Sequence, residues 1–179
     1  MTPSTTIRIA EPEEFEAIGE LILDVYVGEG HVRTGNQYVS DLSDTSARAS
    51  AADVIVAVQD GVVVGSVTLA RHGSKYAAIA RPGEIEGRML AVAKHARRHG
   101  LGQRLIQFAV ETARAQGADS FVFTTRPTMV EAHQVYNRMG FLRAPDRDWF
   151  DTDGTPLTVM GMNLKATGAD FRRTVTSVR

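Results

Sequence analysis

The chain contains no cysteine, which excludes disulfides, thiolate-bound zinc and any cysteine nucleophile. Among its 179 residues are one tryptophan and six prolines, and no apolar run is longer than the five residues 54–58. A membrane-spanning helix needs about 18 or more apolar residues, so none is expected. The opening Met-Thr-Pro-Ser-Thr-Thr-Ile lacks both the basic start and the ~7 to 15 apolar residues of a secretory signal, and the expectation is a soluble, cytoplasmic protein. Neither sign of charge is in excess, since 20 Lys and Arg face 21 Asp and Glu for a net charge of −1. A duplex-binding domain carries a clear basic surplus. No nucleic-acid partner and no membrane partner is therefore expected.

What is present fits one globular domain: 43% hydrophobic residues with 16 glycines in a length typical of a single unit. The domain is expected over residues 5–165, with 166–179 a loosely held tail of low apolar content. Charge is unevenly spread. Between Ile9 and Val32 lie seven acids and no Lys or Arg, whereas residues 94–104 hold four basic residues, two His and no acid. Two different surfaces are implied.

Hydrophobic periodicity gives the element order. Ile7 and Ile9 alternate as in a short strand, and Glu11-Pro12-Glu13 opens a helix whose Phe15, Ile18, Leu21, Ile22 and Val25 share a face, ended by Gly28 and Gly30. Tyr38, Leu42 and the Ala-rich stretch near Ala47 suggest a weaker second helix. Residues 54–59 and 62–69 read as a hairpin turned by Asp60-Gly61. A strand over 85–92 precedes a helix carrying Leu101, Leu105, Phe108, Ala109, Thr112 and Ala113 on one stripe. A strand at 121–124, a helix at 130–139 stopped by Gly140, and a closing strand at 157–164 complete an α/β sandwich around a mixed sheet.

The sharpest local feature is Arg97-Arg98-His99-Gly100-Leu101-Gly102, between a strand and a helix. Two glycines there let backbone N–H groups approach a phosphate at the positive end of the helix dipole, while Lys94, Arg97, Arg98 and Arg104 supply countercharge. The dinucleotide fingerprint wants a third glycine where this chain has Leu105, and the Gly-Lys-Ser/Thr of triphosphate loops is absent. No paired carboxylates follow to hold magnesium, so a diphosphate neutralised by arginine fits better than a phosphotransferase site. His95 and His99 have a metal-compatible spacing on a helix, but Lys94, Arg97 and Arg98 would repel a cation, and no metal is expected.

Over residues 84–141 these features resemble the GNAT superfamily of N-acetyltransferases. The coenzyme motif of that family, Gln or Arg, two residues, Gly, one residue, Gly or Ala, is matched by Arg97, Gly100 and Gly102. Upstream, Glu86-Gly87-Arg88-Met89-Leu90-Ala91-Val92 is similar to its fourth strand, and Ala132 through Tyr136 to Gly140-Phe141 is similar to its last motif. The chain departs at Met129, where many members carry Asn. The resemblance implies a mixed, mostly antiparallel sheet of six to seven strands flanked by about four helices. It also implies acetyl-coenzyme A as co-substrate, held by Leu90, Ala91, Val92, Arg97, Arg98, His99, Gly100, Leu101, Gly102, Gln103 and Arg104.

Acetyl transfer to an amine needs an uncharged amine, a donor for the carbonyl oxygen and an acid for the departing thiolate. A lysine-like amine of pKa ~10.4 is neutral in only about one part in 2,500 at pH 7, so a base matters. Glu86, on the strand that faces the acceptor in the resembling family, is the candidate base, with Glu84 an alternative. Tyr136 resembles the family's general acid, and His133, one turn earlier, either orients it or is merely packed. The oxygen donor is expected to be a backbone N–H near Leu90 on a bulged strand. In the family the segment joining the first two helices walls the acceptor cleft; here Asp24 and Glu29 fall at its start and suggest a small cationic primary amine. Trp149 either lines that side or covers the core. A second copy of the chain is a candidate partner. The competing readings are a non-catalytic acyl-coenzyme A sensor and a protein N-acetyltransferase.

Overall fold

The computed structural model describes residues 4–165 and 171–172. It holds β1 (Thr5–Ile9), α1 (Phe15–Tyr26), α2 (Tyr38–Ser43), α3 (Thr45–Ala49), β2 (Asp53–Gln59), β3 (Val62–Arg71), β4 (Glu84–Val92), α4 (Leu101–Ala115), β5 (Ser120–Thr125), α5 (Val130–Arg138), β6 (Leu142–Arg143), β7 (Trp149–Phe150) and β8 (Pro156–Asn163). The sheet runs β1-β2-β3-β4-β5-β8-β6, with β7 also on β8. Every pairing is antiparallel except β4 with β5. This mixed α/β architecture of eight strands and five helices is the one expected, with small additions.

The additions have local causes. β6 and β7 are two residues each, too short for a period-2 pattern to register. The weak second helix is two helices because Asp44 leaves helical geometry (φ −86°, ψ 77°) and its carboxylate accepts from the Ala47 N–H at 2.9 Å, capping α3. Arg48 then fills the corner, fully buried, donating to the carbonyls of Asp41 and Leu42.

One contiguous apolar core joins the sheet to α1 and α4, both of which pack on β3 and β4. The buried stripe of α4 is Leu101, Leu105, Ile106, Ala109, Val110 and Ala113, so Ile106 and Val110 take the places expected for the half-buried Phe108 and Thr112. The strand β3 begins directly after Asp60 and Gly61, both with positive φ as an Asp-Gly hairpin requires. The tail expected at 166–179 lies outside the described residues apart from Phe171 and Arg172. Phe171 is buried, its N–H bonded to Asn163 Oδ1 at 2.7 Å. Among the described residues no helix is long and apolar enough to cross a membrane.

Candidate active site

The site begins where two parallel strands part. β4 and β5 are paired only from Glu84 opposite Ser120 to Gly87 opposite Phe123. Beyond that point β4 is bulged: Thr68 faces Arg88 and Ser66 faces Ala91, so Met89 and Leu90 together oppose Val67. An extra residue bends and twists its strand and interrupts its ladder, and Met89 marks the kink with φ 54°. Tyr26 at the end of α1 braces it, donating its hydroxyl to the Leu90 carbonyl at 3.2 Å. Divergent parallel strands leave a crevice beyond their carboxyl ends. Here that crevice is a cavity of about 60 Å³ lined by Leu90, Ile106, Phe123, Thr125, Ala132 and Tyr136, among others.

The strand β4 continues into the loop that opens α4, the helix that supplies Ile106 to this crevice. Gly100 is the helix N-cap in the left-handed conformation (φ 73°) and Arg98 shares that region (φ 68°), a tight turn into a helix N-terminus of the kind that can receive an anion. Arg98, His99, Gln103 and Arg104 are exposed, and Leu101 is buried beneath. A Cβ on Gly102 would meet only Val92 Cγ2, at 3.8 Å. Arg97 has a different place. Its Nε donates to the Val92 carbonyl at 2.9 Å, and its two Nη groups grip both oxygens of Glu29 at 2.6 and 3.1 Å. It fixes the loop's shape, leaving the exposed cations around it as countercharge. A glycine loop at a helix start and a bulged strand are the features that the expected co-substrate, an extended thioester with a diphosphate, would need. Among the described residues no group of three or more His, Asp or Glu is arranged to hold a metal ion.

Tyr136 reaches the crevice from α5. It is 5% exposed, its ring centroid 4.2 Å from that of Phe123 with the planes tilted by 52°, and Phe141 closes the aromatic group. Burial raises its pKa, which keeps the phenol protonated across the working pH range. His133 is half-buried, and burial holds its imidazole below the usual range.

Glu86 lies elsewhere. It is fully buried and lines neither cavity. Its Oε2 accepts the N–H groups of Ala78, Ile79 and Ala80 at 2.8, 2.8 and 3.1 Å, and its Oε1 is 3.6 Å from Arg88 Nε. Desolvation raises its pKa, against Arg88 and the three N–H groups. Glu84 is also committed, to a bidentate pair with the buried Arg147 and to the Arg81 N–H. Both carboxylates hold the segment leading into β4, and neither is open to an acceptor.

Next to the crevice, sharing Gly87, Arg88, Met89 and Thr124 with it, is a larger cavity of about 180 Å³. Its remaining walls include Tyr38, Arg126, Trp149, Asp151 and Leu157. Arg88 donates to the Tyr76 carbonyl and to the Tyr38 hydroxyl, lying over the Tyr38 ring. Arg126 pairs with Asp151 at 2.8 Å, both little exposed. Trp149 Nε1 donates to Thr124 Oγ1 at 3.2 Å, which places it on this wall rather than over the core. Asp24 and Glu29 are absent from the lining: Asp24 is exposed, and Glu29 is tied to Arg97, whose bond holds the carboxylate below its usual pKa. Arg126, Asp151 and Tyr38 escape sequence reasoning because they come from three separate loops or helix starts, with no shared spacing to connect them.

The comparisons agree with this geometry. The model of the Acetyltransferase (GNAT) family matches residues 15–141. Over 90% of the chain the fold follows a GNAT-family acetyltransferase of Staphylococcus aureus Mu50, covered in full, at 19% identity and a TM-score of 0.71. The ribosomal-protein-S18-alanine N-acetyltransferase of Escherichia coli covers 92% of this chain and 97% of its own at 16% identity and a TM-score of 0.66. The Salmonella typhimurium protein yncA, in a structure with its cofactor acetyl-CoA, covers 93% and 98% at 22% identity and 0.65. No curated protein matches in sequence. With the family model spanning the bulged strand, the glycine loop and the Tyr136 helix alike, the chain belongs to the GNAT acetyltransferase family.

Proposed function

We propose that the chain transfers an acetyl group from acetyl-coenzyme A to the primary amine of a small molecule, by direct attack with both substrates bound. The observation that carries this reading is the convergence on one crevice of the β4 bulge at Met89 and Leu90 and the buried phenol of Tyr136, with the glycine loop opening α4, the helix that supplies Ile106 to the same crevice. When bound, the thioester's carbon–sulfur bond breaks as a carbon–nitrogen bond to the amine forms, releasing the free thiol and, from a protonated amine, one proton. The chain's own groups divide the rest. Backbone N–H groups of residues 98–103 hold the diphosphate, with Arg98 and Arg104 beside them. Leu90, Ala91 and Val92 offer the bulged strand's backbone to the pantetheine arm and the carbonyl oxygen. Tyr136 holds the proton for the sulfur.

A small acceptor fits better than a protein terminus. The larger cavity, about 180 Å³, is below the ~300 Å³ at which drug-sized sites begin. His31 Nδ1 meets Thr128 Oγ1 at 2.8 Å and Asn36 Nδ2 meets Asp153 Oδ2 at 2.5 Å, so the loops lining the cavity are tied to one another. Cationic selection by Asp24 and Glu29 has no support from their positions. Nor does base catalysis by Glu86, which acts instead as a positioning residue for residues 78–80; the amine's proton is left to water in the cavity.

The test is thiol release from acetyl-coenzyme A across a panel of amines, with the native chain and Tyr136→Phe. Loss of a general acid lowers kcat by about 10² to 10⁴-fold, and the retained ring should leave coenzyme binding intact. Unchanged turnover in the variant would return Tyr136 to a packing role.

A further inference from the structure

The larger cavity is short of acceptors. Arg126 is matched inside it by Asp151, whose other oxygen already takes the N–H groups of Asp153 and Thr155 at 2.9 Å each. Arg88 is not matched inside it. Its carboxylate partner Glu86 is not among the lining residues: Oε1 stands 3.6 Å from Arg88 Nε, and Oε2 is filled by three backbone N–H groups. An arginine has five N–H donors. On Arg88 one Nη1 hydrogen goes to Tyr76 and one Nη2 hydrogen to Tyr38, leaving a second on each nitrogen without a partner among the described residues.

Two hydroxyls add to the excess. The Tyr38 hydroxyl accepts from Arg88 and Thr124 Oγ1 accepts from Trp149, so each still has its own hydrogen to give. Asn36 is spent, its amide donating to Asp153 and its carbonyl accepting the Tyr38 N–H at 2.8 Å. Donors without acceptors in a half-buried wall call for an anion, and a planar guanidinium favours an oxyanion that it can take with two N–H groups.

Position sets the distance. Arg88 immediately precedes the bulged Met89 and lies on the wall that the two cavities share. An anion held by Arg88 and Tyr38 is therefore only a few atoms from an amine presented at Leu90 and Tyr136. We infer that the acceptor is a small amine bearing a carboxylate close to its nitrogen, of amino-acid size, with Arg88 and Tyr38 binding that carboxylate and Trp149 and Leu157 walling the side chain. This rests on the acetyl transfer proposed above and names the acceptor class for that same site.

The experiment measures thiol release at saturating acetyl-coenzyme A with matched trios: an amino acid, its amide and its decarboxylated amine, on aliphatic, thioether and aromatic skeletons, with spermidine as a cationic reference. The free carboxylate should raise kcat/KM by about 10- to 100-fold over the amide and over the bare amine in every trio that reacts. Two variants test the carriers. Arg88→Lys keeps a charge beside Glu86 but loses the planar fork, and Tyr38→Phe keeps the ring but loses the hydroxyl. Each should raise KM for the carboxylate-bearing member and shrink its advantage, with a smaller effect on the amide. Preference for amides, bare amines or spermidine, or an advantage unchanged in both variants, overturns the inference while leaving acetyl transfer standing. Absence of thiol release with every amine, when acetyl-coenzyme A still raises the melting temperature, overturns the proposed transfer and the acceptor class with it.

Discussion

Glu86 shows how a carboxylate in a family motif acquires a structural task. Three N–H groups of residues 78–80 and the Arg88 guanidinium converge on a side chain with no solvent contact. Removing it leaves three part-buried N–H groups and the part-buried Arg88 guanidinium without their carboxylate, a change worth on the order of 3 kcal/mol. At ~2 to 4 °C per kcal/mol for a chain of this size, Glu86→Ala should melt roughly 6 to 12 °C lower. Calorimetry of the variant checks this, and a melting point within a degree or two of native would show that the N–H groups are satisfied otherwise. His31 carries the pH dependence at this scale. Burial, ahead of the opposing pull of Glu29, lowers its pKa from 6.5. The folded state thus resists protonation that the unfolded chain accepts, so the His31 contribution is present above about pH 6.5 and is lost as pH falls below it. An NMR titration should place this imidazole below 6.5, with stability declining on the acid side; a midpoint at or above 6.5 contradicts the assignment.

Among elements, the start of α4 offers the sharpest separation of fold from ligand. Gly102 stands in the helix's first turn with open space at its Cβ, the nearest atom being Val92 Cγ2 at 3.8 Å. A carboxylate there favours the helix dipole while occupying the place proposed for the diphosphate. Gly102→Glu should therefore keep the native melting temperature and lose the response to acetyl-coenzyme A, read by thermal shift; a retained response would move the diphosphate elsewhere. At the other junction, Gly87 is the last residue of β4 paired with β5, and a Cβ on it would lie 2.5 Å from Phe121 Cζ, in a fully buried ring. Overpacking of that kind costs about 1 to 3 kcal/mol, and it displaces the bulge that follows. Gly87→Val is expected to melt lower and to lose turnover beyond its loss of stability, measured as kcat at a temperature where both proteins are folded. The helices and long strands were predictable element by element, since α1, α4 and the β2–β3 hairpin announce themselves through period, caps and an Asp-Gly turn. The same patterns could not show β6, β7 or the break at Asp44, where two residues or one side-chain bond decide the outcome.

At the scale of the whole molecule, the proposed placement of the coenzyme across the loop, the bulge and the crevice has its binding join α4, β4 and α5. Ligand at 100 times its Kd adds ~2.7 kcal/mol to the folded state, which corresponds to a melting point higher by roughly 5 to 10 °C. A flat response at millimolar acetyl-coenzyme A would remove the co-substrate from this site.

The residues themselves specify the parts that local chemistry decides: the glycine loop into a helix, the order of elements, and the kinds of side chain on β4 and α5. Tyr136 could be picked out because its helix and motif are continuous in the chain. The larger cavity could not, because Tyr38, Arg88, Arg126 and Asp151 are brought together only when β4 and β5 part and the loops after α1, β5 and β7 close around the gap. Charge told the same story in reverse. Asp24 and Glu29 are near the cleft in sequence, but a competing partner, Arg97, claims Glu29, and solvent takes Asp24. Which charges face a ligand depends on which have already been neutralised by the fold, and those pairings form across as many as 68 residues of chain. Periodicity and spacing report neighbours along the backbone; the sign of a cavity depends on neighbours in space.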